Sequence, residues 1–282
     1  PANMILFSGV NKKESEIDEA YQYGVRLFTI ESFNHLKYLC NIGEKYKDTL
    51  SVLIRISADT QFGMDERNVE IIIANRKSYS YIDIVGIHYF TGTQKRSYNI
   101  IIQEIEFLKR FYFRMQSEYN FGIKAIEYGI GLDVDYFEDQ KSGANSIKEI
   151  TSALRNLAEI TELTIEMGRY FAATSGYYFT KVVDSKLNNG TNYAIVDGGM
   201  NQIHYDGQVR SMKVPLHTHI RMMPLLVDTN IELIKKWTIC GSICSTEDVI
   251  CRDVEYNQLQ EGDILVFQNS GAYSYMESMS TF

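Results

Sequence analysis

Two short stretches in the middle of the chain combine charged residues with glycine, and the first of them could bind a phosphate. Glu127 precedes Gly129 and Gly131, and a glycine-rich turn leaves backbone N–H groups free to bind a phosphate. Glu166 stands three residues before Arg169, a spacing that also produces ordinary surface ion pairs. From these residues alone, a phosphate site and a plain strand-to-helix turn are both open.

Histidines and cysteines offer fewer possibilities. His88 lies in an apolar stretch and is interpreted as a packed core histidine. His217 and His219 share a face if the chain is extended there, but no third metal ligand accompanies them, so we predict no metal site. No two cysteines form a CxxC pair, which predicts reduced thiols in a cytoplasmic protein. The cysteines are Cys40, Cys240, Cys244 and Cys251.

These residues follow apolar segments that have the length and composition of β-strands. The predicted strands span residues 4–7, 26–30, 51–56, 81–90, 122–128 and 162–166. Between them, helical patterns cover residues 33–47, 98–118 and 147–157, with Ser32 and Ser97 as the predicted N-caps of the first two. The βα alternation predicts a parallel sheet, and the carboxyl ends of its strands would gather the polar residues at one edge.

Six βα units in the first 170 residues correspond to three quarters of a (β/α)8 TIM-type barrel, which has eight units in about 250 residues. We predict an α/β fold in which residues 1–170 form such a barrel with its first two βα units missing; an open doubly wound sheet is the alternative. A mainly β C-terminal domain is predicted over residues 171–282. Its predicted strands span residues 176–186, 193–197, 236–240 and 263–268, and Asn188-Asn189-Gly190 predicts the turn between the first two.

The composition is that of a globular protein, with 45% hydrophobic and 23% charged residues among 282. The net charge of −8 argues against a nucleic-acid partner. No apolar run approaches the roughly 20 residues of a membrane helix, so a membrane partner is not expected either. The chain starts at Pro1 and stops abruptly at Phe282, and we interpret both ends as truncations.

A series of segments, taken in order along the chain, resembles a known family. The segments are residues 53–56 with 62–63, 86–94, 127–131, 166–170, 197–200, 244 with 248, and 271–273. They resemble, respectively, the motifs LRI…FG, GxHxHxGSQ, GGG, EPGRY, DGGM, CxxxD and GAY of the diaminopimelate, ornithine and arginine decarboxylases. These are fold-type III enzymes that depend on pyridoxal phosphate (PLP). The resemblance implies a PLP-dependent amino-acid decarboxylase that works as a homodimer with a shared active site.

The resemblance also implies roles for individual residues. Glu166 would pair with the pyridine nitrogen of PLP, where a carboxylate keeps the ring protonated. Cys244 would come from the partner subunit and protonate the substrate carbon, and Ser245 and Asp248 would bind the substrate. The remaining implied cofactor contacts are made by Phe90, Thr93, Gly129, Gly131, Arg169 and Tyr273.

Several positions depart from the family's motifs. Phe90 replaces the ring-stacking histidine, Ile130 the middle glycine of the phosphate loop, and Met167 the proline of EPGR. Ser245 replaces the acidic residue that often follows the cysteine and helps to select a distal amine. These changes suggest an amino-acid substrate other than the three of the family name, such as a carrier-bound one. They also leave open a non-catalytic homologue with a binding or regulatory role and, third, a phosphate-binding barrel enzyme with unrelated chemistry.

The family's Schiff-base lysine is the largest difference. It lies in a YAVKxN-like segment at the end of the first barrel strand, and no segment of this sequence resembles it. Lys12 and Lys13 follow the predicted strand that corresponds to the third strand of the family. We therefore expect the 282-residue chain by itself to be inactive.

Overall fold

The computed structural model describes residues 2–140, 147–209, 211–222 and 234–281. The chain divides into two compact units. The first comprises residues 1–131 and 143–167, and the second comprises residues 132–142 and 168–282. None of the helices in the described part of the chain combines the length and apolar character that crossing a bilayer requires.

The first unit is built on a parallel sheet in which six consecutive strands pair in chain order. A parallel sheet of this kind is what the βα alternation predicted. The strands are β1 (Leu6–Phe7), β2 (Leu27–Ile30), β3 (Leu50–Ile56), β4 (Ile82–Phe90), β5 (Ala125–Gly129) and β6 (Glu162–Glu166). Because the strands are parallel and consecutive, all their carboxyl ends lie at the same edge of this sheet.

Helices connect these strands. They are α1 (Glu14–Gln22), α2 (Phe33–Tyr46), α3 (Glu66–Ala74), α4 (Tyr98–Tyr119) and α5 (Ile147–Ala158), with 3-10 turns at Ala2–Met4 and Arg76–Ser78. The predicted cap of α2 is confirmed, since Ser32 Oγ accepts a hydrogen bond from the His35 N–H at 3.1 Å. Ser97 occupies the N-cap position of α4, but its side chain makes no capping hydrogen bond.

The sequence patterns missed α3. Its run of three isoleucines is β-branched and is typical of a strand rather than a helix. The structure shows instead that Val69, Ile72 and Ile73 are buried on one helical face. Asp65 begins the helix by accepting a hydrogen bond from the Asn68 N–H at 2.8 Å.

The second unit contains a short helix, α6 (Gly168–Ala172), a 3-10 turn at Ala173–Ser175 and a six-stranded sheet. The strands are β7 (Tyr178–Asn188), β8 (Thr191–Val196), β9 (His217–Ile220), β10 (Lys235–Cys240), β11 (Val249–Tyr256) and β12 (Ile264–Phe267). Their order is β11-β10-β8-β7-β12-β9, and all pairs are antiparallel except β10 with β8. The predicted turn between β7 and β8 is confirmed, with positive φ at Asn189 and Gly190.

Strand β11 was not predicted. Arg252 and Asp253 interrupt its apolar pattern, and Asp253 has a positive φ of 57° where the pairing with β10 becomes irregular. Aromatic side chains fill the core of this unit, including Tyr136, Phe137 and Tyr205, whose rings pack edge-on or tilted 5.2–6.4 Å apart. The segment that carries Tyr136 is held to the unit by hydrogen bonds such as Leu216 N–H to the Tyr136 carbonyl at 2.7 Å.

Candidate active site

A row of ionisable side chains crosses the parallel sheet near its carboxyl edge. Arg55 of β3 pairs in register with His88 of β4, and His88 pairs with Glu127 of β5. Register partners on neighbouring strands place their side chains on the same face. Glu127 in turn pairs with Thr164 of β6, and Glu166 follows two residues later on that same face. Strand register thus brings together four polar residues that are separated by at least 33 and at most 111 positions in the sequence.

Glu166, His88 and Glu127 form the outer end of the row. His88 Nε2 lies 2.9 Å from Glu166 Oε1. One ring nitrogen of His88 and one carboxylate oxygen of each glutamate all lie within 4.8 Å of one another. His88 is buried, whereas 42% of the Glu166 side chain is exposed. The sequence favoured a packed core histidine at position 88, and the structure shows that this buried ring also contacts a partly open carboxylate.

The two carboxyl groups differ in acidity. Burial, together with the negative charge of Glu166, raises the pKa of Glu127 to about 8. The contact with His88 holds the pKa of Glu166 below its usual range, and the neighbouring Glu127 and Arg55 act in the same direction. Two carboxylates this close and this poorly solvated cannot both ionise easily. The raised pKa of Glu127 and the lowered pKa of Glu166 therefore favour a proton on Glu127 and the negative charge on Glu166.

The inner end of the row is a closed ion cluster. Glu31, the residue directly after β2, lies between two cations: its Oε2 is 3.2 Å from Arg55 Nη1 and its Oε1 is 3.6 Å from Lys12 Nζ. The three side chains are between 1% and 9% exposed. Burial lowers the pKa of Lys12 to about 8, although Glu31 opposes that shift. The Arg55 guanidinium also lies 4.7 Å from the centre of the Phe62 ring.

The loops that follow β4 and β5 touch each other, and this contact requires glycine. Gly131 has φ +68°, and a Cβ there would lie 2.0 Å from the Gly92 carbonyl oxygen. A Cβ on Gly129 would lie 2.3 Å from the Phe90 ring. The Lys95 N–H donates to the Gly131 carbonyl at 2.9 Å. These contacts bring the predicted residues Phe90, Thr93, Gly129 and Gly131 to one place at the carboxyl edge of the sheet.

Glu104 of α4 anchors these loops from behind. It is 8% exposed, and it accepts hydrogen bonds from the Tyr128 hydroxyl at 2.5 Å, from Lys95 Nζ at 2.7 Å and from the Thr91 hydroxyl. Charge-assisted hydrogen bonds of this kind are the strong ones in proteins. Glu104 was not predicted as a site residue, because a single acidic residue on an amphipathic helix usually lies on the solvent-exposed face.

In the second unit, Arg169 and Tyr273 lie together. The Arg169 guanidinium is 4.5 Å from the centre of the Tyr273 ring, and Arg169 Nη1 donates to the Tyr136 hydroxyl at 3.1 Å. Asp206 and Glu277 approach Arg169 Nη2 at 3.5 and 3.9 Å. Among the described residues, the buried Nε of Arg169 has no hydrogen-bond partner. An arginine with an unused, buried donor is suited to receive an anionic ligand.

The loop between β10 and β11 carries the three remaining predicted residues. Cys244 is exposed and unpaired. Asp248 is 2% exposed, and its carboxylate accepts hydrogen bonds from the N–H groups of Met200 at 2.8 Å and Ile243 at 2.9 Å. The Ser245 hydroxyl accepts one from the Glu247 N–H at 3.2 Å. Asp248 therefore holds this loop in shape, and the structure places Cys244 and Ser245 on it.

Residues 21–271 match the family described as "Pyridoxal-dependent decarboxylase, C-terminal sheet domain". Among curated proteins, L-glutamyl-[BtrI acyl-carrier protein] decarboxylase of Niallia circulans is 31% identical over 96% of this chain and 68% of its own length. The chain belongs to the pyridoxal-dependent decarboxylase family. The diaminopimelate decarboxylase of Methanocaldococcus jannaschii is 25% identical over 97% of this chain and 65% of its own length.

The fold of the pyridoxal-dependent decarboxylases agrees with the structure. The crystal structure of the M. jannaschii diaminopimelate decarboxylase in complex with L-lysine superposes with a TM-score of 0.78 over 99% of this chain and 67% of that chain, at 22% identity. The present chain spans about two thirds of the length of these relatives. The predicted family and its dependence on PLP are confirmed.

Proposed function

We propose that the protein is a PLP-dependent decarboxylase whose substrate is a free or carrier-bound amino acid. The observation that carries this proposal is Glu166, a carboxylate that His88 and Glu127 keep negatively charged while much of its side chain stays exposed. A carboxylate in that state is what a protonated pyridine nitrogen needs as its partner. The family match supplies the reaction class.

The residues of the chain fit the cofactor in two further respects. Gly129 and Gly131 let the loops after β4 and β5 pack directly against each other, and a glycine-rich turn of this kind leaves backbone N–H groups free to bind a phosphate. Arg169 has a buried donor that no described residue uses. The resemblance assigns Thr93, Gly129, Gly131, Arg169 and Tyr273 to the phosphate of PLP, and we propose these roles for them, with the flat face of Phe90 packing against the ring.

When bound, PLP supplies an electron sink that accepts the electrons left on the substrate carbon as CO₂ departs. The proposed task of Glu166 is to hold the proton of the ring nitrogen in place. Cys244, from the second subunit of a homodimer, would donate a proton to the substrate carbon. Asp248 would take part by shaping the loop that presents Cys244 and Ser245 to the substrate.

The substrate class follows from position 245. A serine there carries no negative charge to select a distal amine. One relative is named as a decarboxylase of glutamate bound to an acyl-carrier protein. We propose that this protein likewise takes an amino acid without a distal amine, free or attached to a carrier, and that it acts in the cytoplasm.

We further propose that the complete protein has two more βα units that close the eight-stranded barrel and carry the Schiff-base lysine. The test is to extend the chain upstream, add PLP, reduce with borohydride and locate the adduct by peptide mass spectrometry, with the 282-residue chain as control. We expect an adduct on one upstream lysine and none on the control, followed by CO₂ release from an amino acid. Specific modification of Lys12 in the control would contradict the assignment.

The alternative of a non-catalytic homologue rests on Phe90 and Ile130. Ile130 is 2% exposed, so its side chain is directed into the core rather than into the loop surface, and its presence is compatible with phosphate binding. If the extended protein binds PLP but releases no CO₂ from free or carrier-bound amino acids, the binding or regulatory role would replace the catalytic one.

A further inference from the structure

The outer end of the ionisable row contains one acidic group more than a pyridine nitrogen needs. Glu166 is open enough to meet the cofactor, but Glu127 is more enclosed, and its Oε2 is buried with no hydrogen-bond partner among the described residues. A second ionised carboxylate beside Glu166 would be costly there, because like charges repel strongly where water is scarce. Glu127 therefore needs a different explanation from Glu166.

We propose that Glu127 is a positioning residue that carries the one proton of the Glu127–Glu166 pair at neutral pH and uses it to hold Glu166 in its charged form. This inference rests on the proposed role of Glu166 as the partner of the pyridine nitrogen. The protonated carboxyl group donates a hydrogen bond to the Glu166 carboxylate, which a second carboxylate could not do.

The surroundings explain which of the two acids keeps the proton. Glu166 faces His88 at 2.9 Å and is partly solvated, and both features favour its negative charge. Glu127 is flanked on β4 by His88 and on β6 by Glu166, with Arg55 one strand further away on β3. Burial and the Glu166 charge raise the pKa of Glu127 to about 8, against a weaker opposite effect of Arg55. An acid of that kind remains a hydrogen-bond donor at pH 7.

The proton can be observed in the 282-residue chain without cofactor. Glutamate carboxyl carbons labelled with ¹³C are followed by NMR from pH 4 to pH 9. We expect one carbon to titrate with a midpoint above pH 7, to be absent in Glu127→Gln, and to titrate at lower pH in Glu166→Gln, where the neighbouring charge is removed. Glu162→Gln, on the exposed part of the same strand β6, is the matched control and should leave this signal unchanged.

Two results would overturn the assignment. One is a wild-type chain in which every glutamate carbon titrates within about one unit of the usual 4.3. The other is a high-pH titration that persists in Glu127→Gln. Should Glu127→Gln fail to fold, as judged by circular dichroism, the direction of the shift in Glu166→Gln still decides the question.

The positioning role is tested separately by PLP affinity in the upstream-extended protein. Glu127→Gln keeps a donor and should bind PLP within about threefold of wild type, whereas Glu127→Leu should bind about tenfold more weakly, the effect of one charge-assisted hydrogen bond. Equal affinity of Glu127→Leu and wild type would refute the role. If the NMR titration is found but the wild-type protein binds no PLP, the proposed function fails while the protonation of Glu127 stands.

Discussion

The two ends of the ionisable row in the parallel sheet balance their charges in opposite ways. At the inner end, one acid, Glu31, lies between two cations, Lys12 and Arg55, and all three side chains are closed off from solvent. At the outer end, two acids lie near one histidine, which contacts Glu166, and Glu166 stays partly open. A buried cluster whose charges are paired with one another stabilises the fold, whereas the exposed member of an acid pair can still bind a ligand. The difference teaches that burial and charge balance, rather than the number of charged residues, distinguish a scaffold from a site.

The largest effect is expected from Glu31→Ala, which leaves two buried cations without their common partner. Removing one member of a buried ion cluster costs about 3–5 kcal/mol, so the free energy of unfolding in urea should fall by that amount. Glu162→Ala, at an exposed position of β6, serves as the control and should change it by less than about 0.5 kcal/mol. Equal stability of the two variants would show that the inner end is not structural.

Glu166→Gln, at the outer end, should lower the activity and leave the stability almost unchanged. Losing the charge that faces the ring nitrogen should reduce decarboxylation by the upstream-extended protein about 10²–10³-fold, as with other preorganised electrostatic groups. Because Glu166 is partly exposed, the urea midpoint should hardly move. A variant that keeps its activity, or that loses activity only because it unfolds, would remove the contrast between the two ends.

The pH dependence of the free energy of unfolding tests the protonation of Glu127 at the outer end. Since Glu127 keeps its proton in the folded chain up to a pKa of about 8 but loses it near 4.5 when unfolded, the unfolded state is favoured progressively as pH rises between these values. Wild type should thus lose stability relative to Glu127→Gln from pH 5 to pH 8, by at least about 1.4 kcal/mol, the equivalent of one pKa unit. Parallel curves for the two proteins in urea unfolding would argue against a protonated Glu127.

The smallest effect is expected from Phe62→Leu, which removes the ring beside Arg55 but leaves the ion cluster intact. A cation–π contact contributes about 0.5–1 kcal/mol at an incompletely buried site. Chemical denaturation should show a loss of that size, well below that of Glu31→Ala. A loss as large as that of Glu31→Ala would mean that Arg55 depends on Phe62 more than on Glu31.

Much of the architecture could be predicted because its signals are local. Strands β2 to β6 and helices α2 and α4 are found within a few residues of their predicted bounds, since each has its own apolar periodicity and Ser32 provides a cap. Helix α3 and strand β11 were missed for the opposite reason: the isoleucine run of α3 imitates a strand, and Arg252-Asp253 interrupts the pattern of β11.

The candidate site divides in the same manner. Gly131 was identified from its motif, and the structure shows the close contact with Gly92 that excludes a side chain there. The contacts of Glu104, and those of Glu31 with Lys12 and Arg55, were not predicted, because these side chains pair with residues that are distant in the sequence. The roles of Cys244 and Tyr273 as cofactor or substrate residues remain predictions.

By itself, the sequence determined the alternation of strands and helices, the ordered motifs and, through them, the pyridoxal-dependent decarboxylase family, because these depend on residue types at short spacing. Only the tertiary structure decided which charges became neighbours. Strand register set His88 between Arg55 and Glu127. Burial then made one end of the row a closed ion cluster and, at the other end, raised the pKa of Glu127 beside the charged Glu166. The electrostatic energies of these charges depend on their solvation and on the distances between them, and both are fixed only when the strands have paired.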